Sequence, residues 1–266
     1  MKFKAFLAMM LVAVCAWAQA PDTYPANYAK GPRFHALLYY STTEEPAHVE
    51  MAEDAIKYFK DLTVGDGWIL TTDTSLRPYL DNMDQFDIII AVNAQPHDPA
   101  EREAFQKYME NGGGWLGFHA AAYNDRNTHW PWFNEFLGCG AFYCNSWPPQ
   151  PVLLTVDVTN HPVTKNLPVK FVAPENEWYM WNPSPAENPD VEVLLSLDQS
   201  NYPLGLKDVI SFGDFPIAWT NHKYRMVYLN MGHGNREFTD ATQNLLVVNA
   251  FRWVVSQTPK GDPFLK

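Results

Sequence analysis

The sequence predicts an α/β fold, a doubly wound and mostly parallel sheet flanked by helices. Segments with the composition of buried strands alternate with segments whose apolar residues recur at helical spacing, which is typical of such a sheet. The clearest buried strand is residues 86–92, FDIIIAV. Residues 111–123, NGGGWLGFHAAAY, join a helix to a short apolar strand and place His119 directly after it. Because ligands of open α/β sheets bind at the carboxyl ends of the strands, we predict a functional site around His119.

The first half of the chain supplies the alternating elements. Glycines 112–114 exclude a helix interior, since each glycine there costs about 1 kcal/mol relative to alanine. The three alanines after His119 favour a helix. Apolar residues at helical spacing predict two earlier helices. The predicted strands are residues 33–40, 68–72, 86–92 and 115–118, and the predicted helices are residues 47–62 and 98–110.

The second half begins with an aromatic-rich insertion at residues 123–150, in which residues 132–137 read as a helix. Long ordered loops often carry a functional role. The remaining elements are predicted strands at residues 152–158 and 191–197, a hairpin of strands at residues 216–220 and 224–231, and a closing helix at residues 239–255. Cys139 and Cys144 allow either a small disulfide loop or two reduced thiols.

The N-terminal residues have the pattern of a signal peptide. Lys2 and Lys4 precede an apolar stretch, and Ala16-Trp17-Ala18 forms a small-x-small cleavage site. No later apolar run approaches the roughly 20 residues that a membrane span needs. We therefore expect a periplasmic or secreted protein without membrane insertion. Its predicted organisation is a signal peptide at residues 1–18, a tether at 19–32, a single domain at 33–257 and a tail at 258–266.

Composition limits the classes of partner. The 266 residues carry a net charge of −11 and contain no basic cluster, which argues against nucleic acid and anionic lipid. Hydrophobic residues make up 47% of the chain and aromatic residues 15%, which is too apolar for a disordered protein. The expected partner is a small neutral molecule, such as a carbohydrate, or another protein.

Three residues are predicted to be catalytic. His119 follows a strand, and His233 lies between two glycines that let a ligand approach the backbone. An imidazole titrates near neutral pH and can therefore transfer protons. Glu177 lies beside aromatic residues, where burial would raise its pKa and suit a general acid or base. Glu175 would share a strand face with Glu177 if both belonged to one strand.

Five further residues are predicted to bind substrate. His48 and Asn93 fall near the carboxyl edge of the sheet, although polar residues there often only cap helices or strands. Tyr123, Tyr179 and Trp219 offer aromatic faces for a sugar ring, and core packing is the alternative for each.

No cofactor is predicted. No GxGxxG segment follows a strand, which argues against a nicotinamide cofactor. His48, His119 and His233 with Glu177 would make a chemically reasonable metal site, but they come from four distant segments without a compact ligand motif. We therefore predict no metal and keep this set of four as the alternative.

Five segments in order resemble the ThuA-like, or trehalose-utilization, family over about residues 33–255. They are GGGWLGFHAAA, WPWFNEFLG, NHPVTKNLP, ENEWY and PIAWTNHKYRMVYLNMGH. The resemblance implies the fold of class I glutamine amidotransferases, in which a cysteine occupies the position held here by His119. It therefore also implies that the chain is not a glutaminase. It further implies a link to disaccharide and keto-sugar metabolism, with His119, Glu177 and His233 in the site.

The leading hypothesis is an exported enzyme that acts on a carbohydrate by proton transfer, through isomerisation or elimination on a keto-glycoside or disaccharide. Glycoside hydrolysis fits less well, because it usually needs two carboxylates about 5–10 Å apart and only Glu177 is persuasive. The alternatives are a non-catalytic sugar- or glycan-binding protein on the same fold, and a surface scaffold that uses the aromatic residues 130–147 as an exposed docking patch.

Overall fold

The structure is a computed structural model that describes residues 34–63 and 68–258. The predicted signal peptide and tether lie outside the described residues, as does all of the predicted tail except Thr258. The described residues belong to one compact unit, Pro32–Lys266. Among them, no helix combines the length and the apolar character needed to cross a membrane.

A nine-stranded sheet runs through the described residues, and a separate two-stranded sheet pairs one strand of the aromatic insertion with a later strand. The strands are β1 (His35–Tyr40), β2 (Ile69–Asp73), β3 (Ile88–Val92), β4 (Gly114–Phe118), β5 (Ala141–Asn145), β6 (Gln150–Val156), β7 (Lys170–Asn176), β8 (Tyr179–Asn182), β9 (Val191–Leu197), β10 (Pro216–Asn221) and β11 (Arg225–Leu229). The order in the large sheet is β2-β1-β3-β4-β11-β10-β9-β6-β7, and β5 pairs with β8.

The large sheet is mixed, which confirms the predicted α/β class and refines it. Neighbouring strands in the β2-β1-β3-β4-β11 half of the sheet are parallel. Neighbouring strands in the β11-β10-β9-β6-β7 half are antiparallel. The predicted hairpin is β10–β11. Because β1, β3, β4 and β11 all run the same way, the residues that follow them meet at one edge of the sheet.

Within the described part of the chain, four α-helices flank the sheet, namely α1 (Pro46–Thr63), α2 (Pro99–Glu110), α3 (Pro131–Leu137) and α4 (Ala241–Ser256). The carboxylates of Asp98 and Asp240 cap α2 and α4 by accepting backbone N–H groups of the first turn. Proline occupies the first turn of α2 and of α3, where its missing N–H does no harm.

Two apolar cores cover the two faces of the sheet. One contains Phe59 of α1 and Phe251 of α4 together with Phe118 of β4. The other contains Trp115 of β4 and Phe105 of α2, along with the aromatic residues of α3. Successive side chains of β4 thus enter different cores, as alternation along a strand that is buried on both faces requires.

The aromatic insertion mainly builds the second core. The rings of Trp130 and Phe133 stack with centroids 4.7 Å apart, and Phe133 and Phe136 are fully buried. Tyr143 is exposed, but the region as a whole does not present a continuous aromatic surface. The interpretation as an exposed docking patch was therefore wrong.

The structure also decides the state of the two cysteines and the conformation of the segment after His119. Cys139 and Cys144 are free thiols, so the disulfide alternative was wrong. The helix expected after His119 is only a short 3-10 turn, His119–Ala122. The carbonyl of His119, which a longer α-helix would pair with the N–H of Tyr123, is engaged elsewhere. Ala120 N donates to Asn93 Oδ1, and the His119 carbonyl accepts from the hydroxyl of Tyr228.

Candidate functional site: a histidine and carboxylate cluster

His119 lies at the centre of the site. It follows β4 directly, its side chain is fully buried, and its φ of +49° is uncommon for a residue other than glycine. Its Nδ1 lies 2.8 Å from the carbonyl oxygen of Asn230 and donates to it. Nε2 therefore carries the lone pair, and it has no hydrogen-bond partner among the described residues. This places an acceptor nitrogen in a fixed orientation at the edge of the sheet.

Glu177 faces this nitrogen from the turn between β7 and β8. Its Oε2 lies 3.5 Å from His119 Nε2 and 3.9 Å from His233 Nε2, and its side chain is only 12% exposed. The amide of Asn145 donates to the other carboxylate oxygen, and the Tyr179 hydroxyl also hydrogen bonds the carboxylate. Glu175 is exposed and β7 ends at Asn176, so the expected pair of carboxylates on one strand face was wrong.

His233 and Glu45 form the closest contact of the cluster. His233 follows β11, and its Nε2 lies 2.5 Å from Glu45 Oε1. Glu45 precedes α1 and is 47% exposed, so it lies on the open side of the site. The sequence did not point to Glu45, because an acidic residue in a polar loop before a helix is usually only solvated.

His48, in the first turn of α1, completes the cluster. Its ring centroid lies 5.0 Å from that of His119 and 5.3 Å from that of His233, and the latter two centroids are 5.8 Å apart. His48 is buried, and neither of its ring nitrogens has a hydrogen-bond partner among the described residues. The structure thus brings together the four residues that the sequence offered as a set, and it adds Glu45.

Burial sets the charge state of the cluster. It lowers the pKa of His119 to about 3, and the neighbouring His233 adds to this effect. Burial lowers the pKa of His48 to about 3 as well. Burial raises the pKa of Glu177, although His233 opposes the shift. At neutral pH the rings of His48 and His119 are therefore neutral with free lone pairs.

The residues predicted to bind substrate occupy different environments. Asn93 lies in the site, but its amide donates to the Gly232 carbonyl and accepts from Ala120 N, so it joins two segments of backbone. Tyr179 stacks on His119 with ring centroids 4.0 Å apart. Tyr123 is partly exposed and contacts Phe142.

Trp219 does not belong to the site. It is fully buried among Trp181 and Tyr228, and its indole N–H donates to the carbonyl of Leu137. No face of the ring is open to a ligand. Its expected role as a sugar platform was therefore wrong, because β10 directs this side chain into the second core.

The residues that hold the cluster in position from behind were not predicted from the sequence. Asn176 Oδ1 accepts from the backbone N–H groups of Gly232 and His233, and its amide donates to Glu237 Oε1. A Cβ on Gly232 would lie 2.4 Å from that of His119, so only glycine fits there. The glycines around His233 were the one available signal, and nothing local distinguishes Asn176 or Glu237 from surface residues.

The fold and the site define an α/β protein with a cluster of histidines and carboxylates at the carboxyl edge of its parallel strands. The chain belongs to the ThuA family, whose family model, described as trehalose utilisation, matches residues 36–254. The resemblance seen in the sequence is thereby confirmed.

Solved structures support this assignment. A ThuA-like protein from Bacteroides uniformis is 64% identical, with a TM-score of 0.87 over 92% of this chain and 100% of that chain. A ThuA-like protein from Parabacteroides merdae is 16% identical, with a TM-score of 0.58 over 86% of this chain and 92% of that chain. A cytoplasmic protein from Salmonella typhimurium is 12% identical, with a TM-score of 0.51 over 83% and 98% of the two chains, and shares the fold alone. No curated protein sequence matches the chain.

Proposed function

We propose that this protein is an exported enzyme that acts on a carbohydrate by proton transfer, through isomerisation or elimination on a keto-glycoside or a disaccharide. The observation that carries the proposal is the orientation of His119. Its Nδ1 is fixed on the Asn230 carbonyl, so its Nε2 lone pair faces Glu177 in the cluster. An oriented imidazole beside a carboxylate can act in general acid–base catalysis, and a negative charge on Glu177 would favour the imidazolium against the burial that lowers the pKa of His119.

The two side chains have complementary roles. In this structure the Nε2 of His119 is enclosed behind the Glu177 carboxylate. Once substrate displaces that carboxylate, Nε2 accepts a proton from a sugar carbon next to a carbonyl, and Glu177 stabilises the imidazolium that forms. The electron pair left on the carbon passes to the carbonyl oxygen and gives an enediol. Return of the proton to the neighbouring carbon completes an isomerisation, whereas loss of the substituent on that carbon completes an elimination. A positioned acid or base typically contributes about 10²–10⁴-fold to the rate.

His233 and Glu45 form the contact between the cluster and the solvent. Their 2.5 Å contact links the buried cluster to its open side, since Glu45 is half exposed. A substrate would therefore approach the cluster from the side of this pair.

The substrate class follows from the family and the composition. The family model is described as trehalose utilisation, which supports a carbohydrate substrate. The negative net charge and the lack of a basic cluster favour a neutral molecule over a phosphorylated one. Tyr123, Phe142 and Trp147 lie near the cluster and offer ring faces of the kind that sugars contact.

Glycoside hydrolysis remains the weaker alternative, for a new reason. Glu45 supplies the second carboxylate that the sequence lacked, but its ligand oxygen lies within 4.8 Å of that of Glu177. Glycosidase carboxylates stand about 5–5.5 Å apart in retaining enzymes and further apart in inverting ones. Both carboxylates here also approach the same nitrogen, His233 Nε2, rather than flank an open space.

The test is turnover by NMR. The parent protein, His119→Ala and the control His222→Ala, which changes an exposed histidine, are incubated with disaccharides, glycosides and their 3-keto forms. The proposal predicts conversion by the parent and the control, and a loss of at least about 100-fold in His119→Ala. Saturable binding without conversion by any of the three would contradict an enzyme and favour a sugar-binding protein.

Export is part of the same proposal and has its own test. The charged, apolar and small-x-small segments of residues 1–18 support a cleaved signal peptide. Mass spectrometry of the mature protein should place its first residue after Ala18. An intact N-terminus in the cytoplasmic fraction would exclude export.

A further inference from the structure

The cluster has the donor set of a metal site. Glu45, His48, Glu177 and His233 each offer one ligand atom, and these atoms all lie within 4.8 Å of one another. We propose that these four side chains bind one divalent transition-metal ion, of the zinc or manganese type. The inference rests on the proposed function only for what the ion does to substrate, since binding itself needs no sugar.

The distances suit a single ion. Ligands at the usual zinc bond lengths of about 2.0–2.1 Å stand roughly 3.3 Å apart around a tetrahedral centre. Glu45 Oε1 lies 2.5 Å from His233 Nε2 and 3.7 Å from His48 Nε2. Glu177 Oε2 lies 3.9 Å from His233 Nε2. These separations lie on both sides of the ideal value, and all four ligand atoms lie within 4.8 Å of one another.

His48 provides an independent indication of a ligand. It is buried, and both of its ring nitrogens lack a hydrogen-bond partner among the described residues. An unsatisfied buried polar group is costly, and native structures contain few of them. An ion bound through one nitrogen would remove the penalty at that nitrogen. The position of His48 beside two carboxylates therefore points to a cation.

The mixture of donors selects the kind of metal. Imidazole nitrogens suit zinc, iron, nickel and copper, whereas calcium and magnesium prefer oxygen ligands alone. Two imidazoles and two carboxylates fit zinc or manganese, and no thiol is among the four. The side of the cluster occupied by Glu45 is open, so a substrate oxygen would enter there as a fifth ligand.

The surrounding contacts hold the ligands in place, as in known metal sites. Asn145 holds the Glu177 carboxylate, and Asn176 and Glu237 accept from the backbone N–H of His233. His119 remains outside the four, with its Nε2 3.5 Å from Glu177 Oε2. It thus stays available as the base, and a bound ion would supply the polarisation of the neighbouring sugar carbonyl.

The test is metal binding to the full-length protein after dialysis against a chelator. Isothermal titration with Zn²⁺ and with Mn²⁺ is compared for the parent, Glu45→Gln, His48→Gln and the control His222→Gln. His222 and Glu192 form an exposed pair 3.8 Å apart, which reports adventitious binding at the surface. Elemental analysis of the desalted proteins gives the number of ions per chain.

We expect one ion per chain in the parent and in His222→Gln, and an affinity at least about 100-fold weaker in Glu45→Gln and His48→Gln. Glu45 is half exposed, so its variant should fold even if His48→Gln does not. Equal affinity in the parent and Glu45→Gln, or far less than one ion in the parent, would overturn the inference. Sugar conversion that persists in the metal-free protein would overturn the role of the ion and leave the proposed proton transfer standing.

Discussion

The Nε2 of His119 lies 3.5 Å from the Oε2 of Glu177, and this pair joins the end of the parallel half of the sheet to the turn between β7 and β8. His119 is held by Asn230 and stacked on Tyr179, while Glu177 is held by Asn145 and Tyr179. Both side chains are thus positioned by contacts that do not involve a ligand. Such preorganisation is what an acid–base site needs.

Glu177→Gln should abolish most activity without unfolding the protein. The amide cannot stabilise an imidazolium on His119, so kcat should fall by at least about 100-fold while the melting temperature changes little. Glu175→Gln is the matched control, because Glu175 is two residues away and exposed. Equal activity of the two variants would contradict the role assigned to Glu177.

Gly232→Ala should displace His119. The added Cβ would lie 2.4 Å from the Cβ of His119, so the imidazole must move. A shift of about 1 Å in a catalytic group can reduce the rate about 100-fold, and we expect a loss of that size in kcat/KM. In the control Gly234→Ala the new Cβ meets nothing within 4 Å, so only the left-handed backbone is strained. Normal activity in Gly232→Ala would show that His119 is not held as described.

The sequence predicted most of the fold because the responsible signals are local. The buried strand β3, the helix α2 and the turn before β4 follow from apolar runs, helical spacing and glycines within a few residues. Periodicity also located α4, which begins two residues later than expected, at Ala241. The antiparallel pairing of β6, β7 and β9 was not predicted, because strand partners distant in the chain leave no local pattern.

The site was predicted in part. His119 and His233 have local signals in the strand end and the flanking glycines, and Glu177 has its aromatic neighbours. Glu45 and Asn176 have no such signal, because their importance comes from contacts across the fold. The prediction for Trp219 was wrong because its local signal was ambiguous. An aromatic residue near a predicted strand end is equally consistent with a core position.

Arg225→Met should destabilise the protein without altering the site. The Arg225 guanidinium donates to the carbonyl oxygens of Gly112, Val254 and Asp87, and so joins β4, α4 and β3 at the edge opposite the cluster. We expect the free energy of unfolding to fall by about 2–4 kcal/mol. In the control Arg77→Met, the lost ion pair with Asp98 is at the surface and should cost less than about 1 kcal/mol. Urea denaturation distinguishes these outcomes. An equal loss of unfolding free energy in the two variants would contradict the stabilising role of Arg225.

Glu237 should make stability depend on pH. Burial raises the pKa of this carboxyl to about 8, even though the His233 backbone and Gln243 donate to it. The neutral form is therefore favoured by the fold. Its contribution to stability is complete below the unfolded pKa and is lost as pH rises through the folded pKa.

Glu237→Gln removes this titration and serves as the comparison. Between pH 4.5 and 8 the free energy of unfolding of the parent should fall relative to that of the variant, by a total on the order of 4 kcal/mol. Urea denaturation of both proteins across this range gives the difference. A difference that does not change with pH would contradict the raised pKa.

The most direct test of the central claim is solvent exchange at carbon. A 3-keto-glycoside is incubated in D₂O with the parent, His119→Ala or His222→Ala, and incorporation of deuterium next to the carbonyl is followed by NMR. If His119 removes that proton, the parent and His222→Ala exchange it at the same rate, and His119→Ala exchanges it at least about 100-fold more slowly. Exchange in His119→Ala at the rate of the parent, or none in any of the three, would contradict proton transfer by His119.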